Sequence, residues 1–216
     1  MKKETLQKRT KIANDIMYYI YTHIETNIDI EELSIDLNVS KFHMHRIFKE
    51  AFGKNIYESI KSIRLQKASN LLLTNKYSTI SNIVNQCGYS SQSSFIKIFK
   101  DRFEMTPKEW KNGGYKEYSQ KILQQSQRAS QSKADFKDMV PTIVKMPAIE
   151  SYYIRNKGYN INIKETWQKL QTWILTNDII SYKRIALFHD NPTITPLNEC
   201  QYIGCVMVED NQEVKS

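Results

Sequence analysis

The chain has 216 residues, a formal net charge of +8 and three cysteines. This length accommodates two modest domains, and a hydrophobic content of 40% is enough for a packed core in each. Three scattered cysteines exclude a disulfide-rich secreted scaffold, and the N-terminus has basic residues but no apolar run of signal-peptide length. We therefore expect a cytoplasmic protein that does not span a membrane.

Positive charge is concentrated in the first half of the chain. Residues 1–118 carry 19 Lys and Arg against 13 Asp and Glu, whereas the remainder carries 12 against 10. An excess of basic side chains favours a polyanionic partner, so the first half is the candidate for binding nucleic acid.

Apolar residues at helical spacing predict the elements of this half. Isoleucines four residues apart between positions 12 and 24 indicate a long helix that ends near Thr26. A short helix over 30–37 follows, and Ser40 is the predicted N-cap of a third helix. A long helix over about 56–73 then leads to a second copy of the pattern. In the third helix, the predicted buried stripe is Met44, Ile47, Phe48 and Ala51, and the predicted opposite side is Phe42, His45, Arg46 and Lys49.

The sequence of the third helix occurs a second time in the chain. The segment Ser40 to Phe52 (SKFHMHRIFKEAF) recurs 51 positions later as Ser91 to Phe103 (SQSSFIKIFKDRF). The core positions are copied, but the outward residues differ. The predicted inward residues of the second copy are Phe95, Ile98, Phe99 and Phe103, and the outward ones are Gln92, Ser93, Ile96, Lys97 and Lys100.

A short helix also precedes the second copy, through Ile80, Ile83 and Cys87, and Thr106-Pro107 opens a last helix. A short helix, a tight turn and a second helix with a polar outward face form a helix-turn-helix, whose second helix enters the major groove of DNA. Two such units, joined by a linker helix, predict a mainly α domain over residues 1–114 that binds DNA. Cys87 is predicted to be a core residue.

The remaining chain changes in character. Residues 115–138 are rich in Gln, Ser and Lys and predict a linker, or a weakly continued helix. Short runs of β-branched and aromatic residues at 141–146 and 149–155 then predict a first strand region, and two further runs at 184–188 and 202–208 predict two later strands. A helix face is predicted from Ile163, Trp167, Leu170 and Ile174, after a capping-box-like start at Asn162 and Glu165. The order strand, helix, strand, strand predicts an α+β domain over 139–216.

Residues 28–112 closely resemble the DNA-binding domain of AraC/XylS-type transcription regulators. The resemblance lies in SKFHMHRIFKEAFG, IRLQKASNLLL and STISNIVNQCGYSSQSSFIKIFKDRFEMTPKEW, and the first reading helix is similar to that of Rob- and MarA-like members. It implies that one chain docks both reading helices in successive major-groove segments of an asymmetric promoter site. It also implies RNA polymerase as a further partner.

The resemblance assigns DNA-binding positions in both reading helices. These are Ser40, Lys41, Phe42, His45, Arg46 and Lys49 in the first, and Ser91, Gln92, Ser93, Ser94, Lys97 and Lys100 in the second. Arg46 can bind guanine through two hydrogen bonds, and Phe42 can contact a thymine methyl group. Lys97 stands at a position where Arg is common in the family. Because Lys lacks the planar guanidinium group of Arg, we expect the second helix to discriminate less strongly between base pairs.

Residues 139–216 resemble the first half of a GyrI-like effector domain, through RNKGY, a Trp-bearing helix, FHDNP and YIGCVMVED. The resemblance implies half of a βαββ repeat pair, with an aromatic cleft for bulky, often cationic, small molecules. The candidate cleft residues are Tyr152, Tyr153, Trp167, Trp173 and Phe188. Core packing is the alternative role of these aromatic residues. The open sheet edge of a lone unit predicts a homodimer formed through residues 140–209.

Two other functions remain open at this stage. Some GyrI-like domains hydrolyse electrophilic small molecules, but no Ser-His-acid set, paired carboxylates or Cys-His pair stands out here, so we predict no enzyme. Nonspecific DNA binding is the other alternative, although it would not need two different helix faces. We predict neither a metal nor a cofactor, because His43 and His45, two apart on one helix, point in different directions.

Overall fold

The computed structural model describes residues 3–124 and 149–209, which fall into two compact units divided between Tyr115 and Lys116. The helices of the first unit are α1 (Lys3–Thr22), α2 (Ile30–Asp36), α3 (Lys41–Phe52), α4 (Ile56–Thr74), α5 (Ile80–Gln86), α6 (Gln92–Phe103) and α7 (Pro107–Glu109), followed by a turn (Trp110–Gly114) that is kinked at Gly113. The elements of the second are α8 (Tyr115–Gln124), β1 (Tyr152–Lys157), α9 (Asn162–Thr176), β2 (Tyr182–Phe188) and β3 (Gln201–Val208). The predicted mainly α and α+β classes are confirmed.

Side-chain caps fix where the helices of the first unit begin. Ser40 Oγ accepts a hydrogen bond from the His43 amide at 3.3 Å, and Ser91 Oγ accepts one from the Ser94 amide at 3.4 Å. Other capping side chains belong to Asp29, Asn55, Thr79 and Thr106. Because a cap satisfies an amide that has no partner within the helix, α3 and α6 start at corresponding positions.

The core of the first helix-turn-helix is shared by α1, α2, α3 and the start of α4. Ile16 and Ile20 of α1 are buried against the α3 residues Met44, Ile47 and Phe48. In the second copy, the aromatic rings of Phe95, Phe99, Phe103 and Trp110 pack in succession and are all buried. Helices α3 and α6 are therefore each held by their apolar face.

The turn between α5 and α6 is fixed by a close backbone approach at Gly88. Its φ of +71° is left-handed, and a Cβ built there would lie 2.6 Å from the Ile24 carbonyl oxygen. Arg64 of α4 lies beside it and donates hydrogen bonds to the carbonyl oxygens of Ile24, at 3.1 Å, and Thr26, at 2.6 Å. A glycine is therefore required where the α5–α6 turn packs against the end of α1.

The first helix is shorter than its hydrophobic pattern predicts. It ends at Thr22 instead of near Thr26. The Thr22 hydroxyl donates to the carbonyl oxygens of Tyr18, at 3.0 Å, and Tyr19, at 3.1 Å, and so occupies acceptors of the last turn. No described helix combines the length and the apolar character that crossing a membrane requires.

One predicted core position in α3 is wrong. Ala51 is exposed, and Phe52 is buried in its place, with its ring centroid 4.5 Å from that of Phe48. A methyl group gains little from burial compared with a phenyl ring, so the helix orients its last turn by Phe52. In α6, Ile98 is only half-buried.

The second unit is an antiparallel sheet with α9 on one face. Strand order is β1-β3-β2, with Tyr152 opposite Val206 and Phe188 opposite Tyr202. A Cβ at Gly204 of β3 would lie 3.0 to 3.1 Å from side chains of α9, so this helix packs close to the central strand. Among the described residues, β1 and β2 are the edges of the sheet.

Helix α8 covers residues 115–124 of the segment read as a linker or weak helix. Tyr118 Oη and Ser119 Oγ of α8 donate to the carbonyl oxygens of Ile194, at 3.4 Å, and Thr193, at 3.2 Å. Both acceptors lie in the long connection between β2 and β3. This part of α8 is therefore bonded to the second unit.

The boundaries predicted for the second unit need correction. Strand β1 begins at Tyr152 instead of at residue 149. Helix α9 has Ile161 as its N-cap without a side-chain bond, and the first amide contact is made by Asn160, whose Oδ1 accepts from the Asn162 amide at 3.0 Å. The predicted capping box at Asn162 is thus absent from the start of α9. The predicted strand over 141–146 lies outside the described residues.

Candidate nucleic-acid interface

Helix α3 presents an aromatic and basic face away from its core. Phe42 is 79% exposed, although a phenyl ring is normally buried when the fold offers a place for it. Arg46 and Lys49 follow on the same side and are also exposed. His45, which lies between Phe42 and Arg46 in the sequence, is only partly exposed. Its ring centroid lies 5.6 Å from that of Tyr57 on α4.

Local contacts orient the Arg46 side chain. Its Nη2 lies 3.2 Å from Nδ1 of His43, one turn earlier. A guanidinium can only donate, so His43 Nδ1 is the acceptor in this contact. The contact restricts the rotamers of Arg46 and leaves its other donors available for a base.

Lys41 at the start of α3 is engaged within the protein. Its Nζ lies 2.9 Å from a carboxylate oxygen of Glu31 on α2, and the hydrogen bond to that carboxylate raises the pKa of Lys41. Both side chains are at least half exposed, so a polyanion can compete for the ammonium.

Helix α6 presents a different surface on the same scaffold. Gln92, Ser93 and Ser94 are exposed in its first turn, and Lys97 and Lys100 are exposed in the next two. The half-buried Ser91 serves as N-cap, and its hydroxyl lies 2.9 Å from that of Ser93. This face offers amide and hydroxyl groups where α3 offers an aromatic ring and a guanidinium.

A basic cavity beside α3 was not anticipated from the sequence. It has a volume of about 520 Å³ and lies between α1, the α2–α3 turn and α3. Lys8 and Arg9 of α1 line it together with His43 and Arg46. The periodicity of α1 indicated only its buried face, and no local signal shows which cations of one helix approach another.

The aromatic candidates of the second unit do not form one group. Tyr152 and Trp173 pack with ring centroids 4.5 Å apart on the α9 face of the sheet. Tyr153 is opposite Cys205 and therefore points to the other face, where Arg155 lies over its ring at 5.6 Å. The candidate cleft residues are thus divided between two faces.

Trp167 and Phe188 belong to a second aromatic cluster on the α9 face. Trp167 Nε1 donates to Tyr202 Oη at 2.6 Å, and the rings of Phe188 and Tyr202 are edge to face at 5.1 Å. Arg184 of β2 places its guanidinium carbon 5.8 Å from the Trp167 ring and 5.6 Å from the Tyr182 ring. The cluster therefore already holds a cation of its own.

Burial determines the protonation of two potentially reactive side chains, Cys87 and His189. Cys87 is fully buried, and burial raises the pKa of its thiol to about 11, so it stays protonated and apolar. Burial also lowers the pKa of His189, with the Arg155 charge acting in the same direction. Within residues 3–124 and 149–209, no group of three His, Cys, Asp or Glu side chains is placed to hold a metal ion.

Comparison with known protein families finds two matching regions. The model of a helix-turn-helix domain matches residues 33–113, and that of a GyrI-like small molecule binding domain matches residues 139–216. One match therefore lies in each unit, and α1 lies outside both.

Individual relatives match the first region. The probable transcription factor PqrA of Proteus vulgaris is 33% identical over 105 residues, which are 48% of this chain and 85% of that protein. The xylose operon regulatory protein of Escherichia coli K12 is 32% identical over 96 residues, which are 44% of this chain but only 24% of that protein. The C-terminal domain of AraT, a response regulator from Geobacillus stearothermophilus, superimposes with a TM-score of 0.45 at 27% identity, covering 47% of this chain and 84% of that one.

Proposed function

The chain belongs to the AraC/XylS-type transcription regulators, and on that premise we propose that α3 and α6 read two successive major-groove segments of promoter DNA. Lys and Arg contacts to phosphates supply most of the affinity, and the outward side chains of the two helices supply sequence preference. In α3 the base-reading residues are Phe42, His45 and Arg46. In α6 they are Gln92, Ser93, Ser94 and Lys97.

The observation that carries this proposal is that α3 and α6 have the same N-cap and the same buried side but different exposed faces. Ser40 and Ser91 start the helices in the same way, and phenylalanines bury the same side of each. The exposed sides differ, with Phe42 and Arg46 on one helix and Gln92 and Lys97 on the other. Two copies of one nonspecific binding surface would not need this difference.

The docking geometry can be tested by hydroxyl-radical footprinting of the full chain on a duplex that it prefers. Two helices of one chain in successive major-groove segments protect one side of the duplex at positions about 10 base pairs apart. One continuous protected stretch around both sides of the duplex would contradict the proposed docking.

Replacing Lys97 by Arg should sharpen reading by α6. A planar fork can make two hydrogen bonds to guanine, whereas an ammonium acts as a point charge, so we expect about 1 kcal/mol of added discrimination at one base pair. The measurement is a set of binding constants for duplexes that vary at each position of the second half-site. Lys100→Arg, the matched control at a phosphate-facing position, should leave the preferences unchanged. Equal effects of the two variants would show that Lys97 contacts no base.

We further propose that the second unit senses a bulky aromatic small molecule through the cluster of Trp167, Tyr202, Phe188 and Arg184. The GyrI-like match and the 63% exposure of Phe188 support this proposal. A cationic effector would have to compete with Arg184 for the Trp167 ring, since one ring face accommodates one cation.

This competition can be measured with crystal violet, a bulky aromatic cation, by quenching of tryptophan fluorescence in the full chain. Arg184→Ala should tighten binding about two- to fivefold, because a cation–π contact at an exposed site contributes roughly 0.5–1 kcal/mol. Arg155→Ala, which removes the cation on the opposite face, should have no effect. Absence of saturable binding to both the wild type and Arg184→Ala would refute a cationic effector.

A further inference from the structure

The basic cavity beside α3 has the composition of a site for a sugar-phosphate group. Its floor is apolar, formed by Ile12 of α1 with Leu37 and Val39 of the α2–α3 turn. Its polar lining comes from Lys8, Arg9, Asn38, Ser40, His43 and Arg46. A free inorganic phosphate would use only the cations, whereas a deoxyribose phosphate also places an apolar ring surface against the floor.

The basic side chains around the cavity differ in whether they already contact another side chain of the protein. The Arg9 guanidinium forms an ion pair with the Glu50 carboxylate of α3, which offsets much of its charge. Arg46 is positioned by His43. Lys8 is exposed and is the α1 ammonium that lines the cavity. Lys8 is therefore the lining cation best placed to bind a phosphate, because Arg9 is paired with Glu50 and Arg46 is assigned to a base.

The two walls are held at a fixed separation. Ile16 and Ile20 of α1 share a buried core with Met44 and Ile47 of α3, and the Arg9–Glu50 ion pair joins the same two helices at the surface. Packing of α1 against α3 brings the lining residues together before any phosphate binds, which lowers the entropic cost of binding.

Resting on the proposed function, we infer that α1 is a third DNA-contacting element, and that Lys8 binds a backbone phosphate at the edge of the segment that α3 reads. Arg46 lines the cavity and lies on the reading face, so a phosphate in the cavity is next to the base that Arg46 contacts. Lys8 is a positioning residue, because a phosphate contact fixes the register of α3 but carries no sequence information.

The test compares Lys8→Ala with Lys11→Ala in the full chain. Lys11 is an exposed lysine on the same helix, but it lines a different surface depression with Leu6 and Asp15. Binding is measured on the preferred duplex and on a random duplex over a series of KCl concentrations. Lys8→Ala should reduce the slope of log affinity against log salt by about 0.9 and weaken both complexes about fivefold near 0.15 M salt. Lys11→Ala should match the wild type.

A slope for Lys8→Ala equal to that of the wild type or of Lys11→Ala would overturn the inference. An isothermal titration with inorganic phosphate, without DNA, separates the two possible sources of the anion. Saturable phosphate binding that Lys8→Ala abolishes, together with an unchanged DNA slope, would assign the cavity to a free anion and also overturn it. The proposed function is judged separately, by whether the wild type shows a sequence preference and whether Arg46→Ala changes it.

Discussion

Arg46→Ala should weaken binding to the preferred duplex by about 1–3 kcal/mol while changing binding to random DNA much less. The guanidinium is exposed on the outward face of α3, and its contact with His43 restricts its orientation at a distance of 3.2 Å. Loss of two hydrogen bonds to one base removes the discrimination at that base pair. The measurement is fluorescence anisotropy with labelled preferred and random duplexes at the same salt concentration.

Lys49→Ala is the matched control for Arg46→Ala. Lys49 is exposed on α3 and is assigned to a phosphate, so its loss should weaken both complexes by the same factor and lower the salt dependence. If Arg46→Ala also weakened both complexes equally, its role would be electrostatic, and the assignment of α3 as a base-reading helix would lose its main residue.

Trp110→Ala should unfold the second helix-turn-helix, with a cost of about 3–5 kcal/mol. The ring is fully buried, 4.7 Å from Phe103 and 5.7 Å from Phe99, and its Nε1 donates to the Ser69 carbonyl oxygen at 3.1 Å. The substitution leaves a large cavity and removes the hydrogen bond to Ser69. Hydrogen exchange of the α5 and α6 amides should accelerate strongly, whereas the α9 amides should keep their protection.

Trp110→Phe separates the two contributions. It preserves a ring against Phe99 and Phe103 but removes the donor to Ser69, so we expect a smaller loss of about 1–3 kcal/mol. Urea unfolding followed by circular dichroism gives the comparison. Equal stability of Trp110→Ala and the wild type would mean that the aromatic stack does not hold α6 in place.

The duplicated helix could be predicted from the sequence because its start and its buried face are determined by residues close together in the chain. Ser40 and Ser91 supply caps, and the apolar residues of each copy recur at helical spacing, so the start and the inward face of α3 and α6 follow from neighbouring residues. The same holds for the order of elements in the second unit, where β-branched runs and one amphipathic helix are distinct.

Features that depend on tertiary contacts were predicted less well. The burial of Phe52 instead of Ala51 depends on the ring of Phe48. The face occupied by Tyr153 depends on strand register, which is fixed only when β1 pairs with β3. The approach of Lys8 to Arg46 could not be predicted, because it requires the packing of α1 against α3.

Selection of bound duplexes from a random pool, carried out in parallel with the wild type and Arg46→Ala, tests the central claim most directly. We expect the wild type to enrich two dissimilar short motifs with centres about 10 base pairs apart. Arg46→Ala should lose the motif read by α3 and keep the motif read by α6. A single motif, no enrichment, or simultaneous loss of both motifs would contradict two independent reading helices.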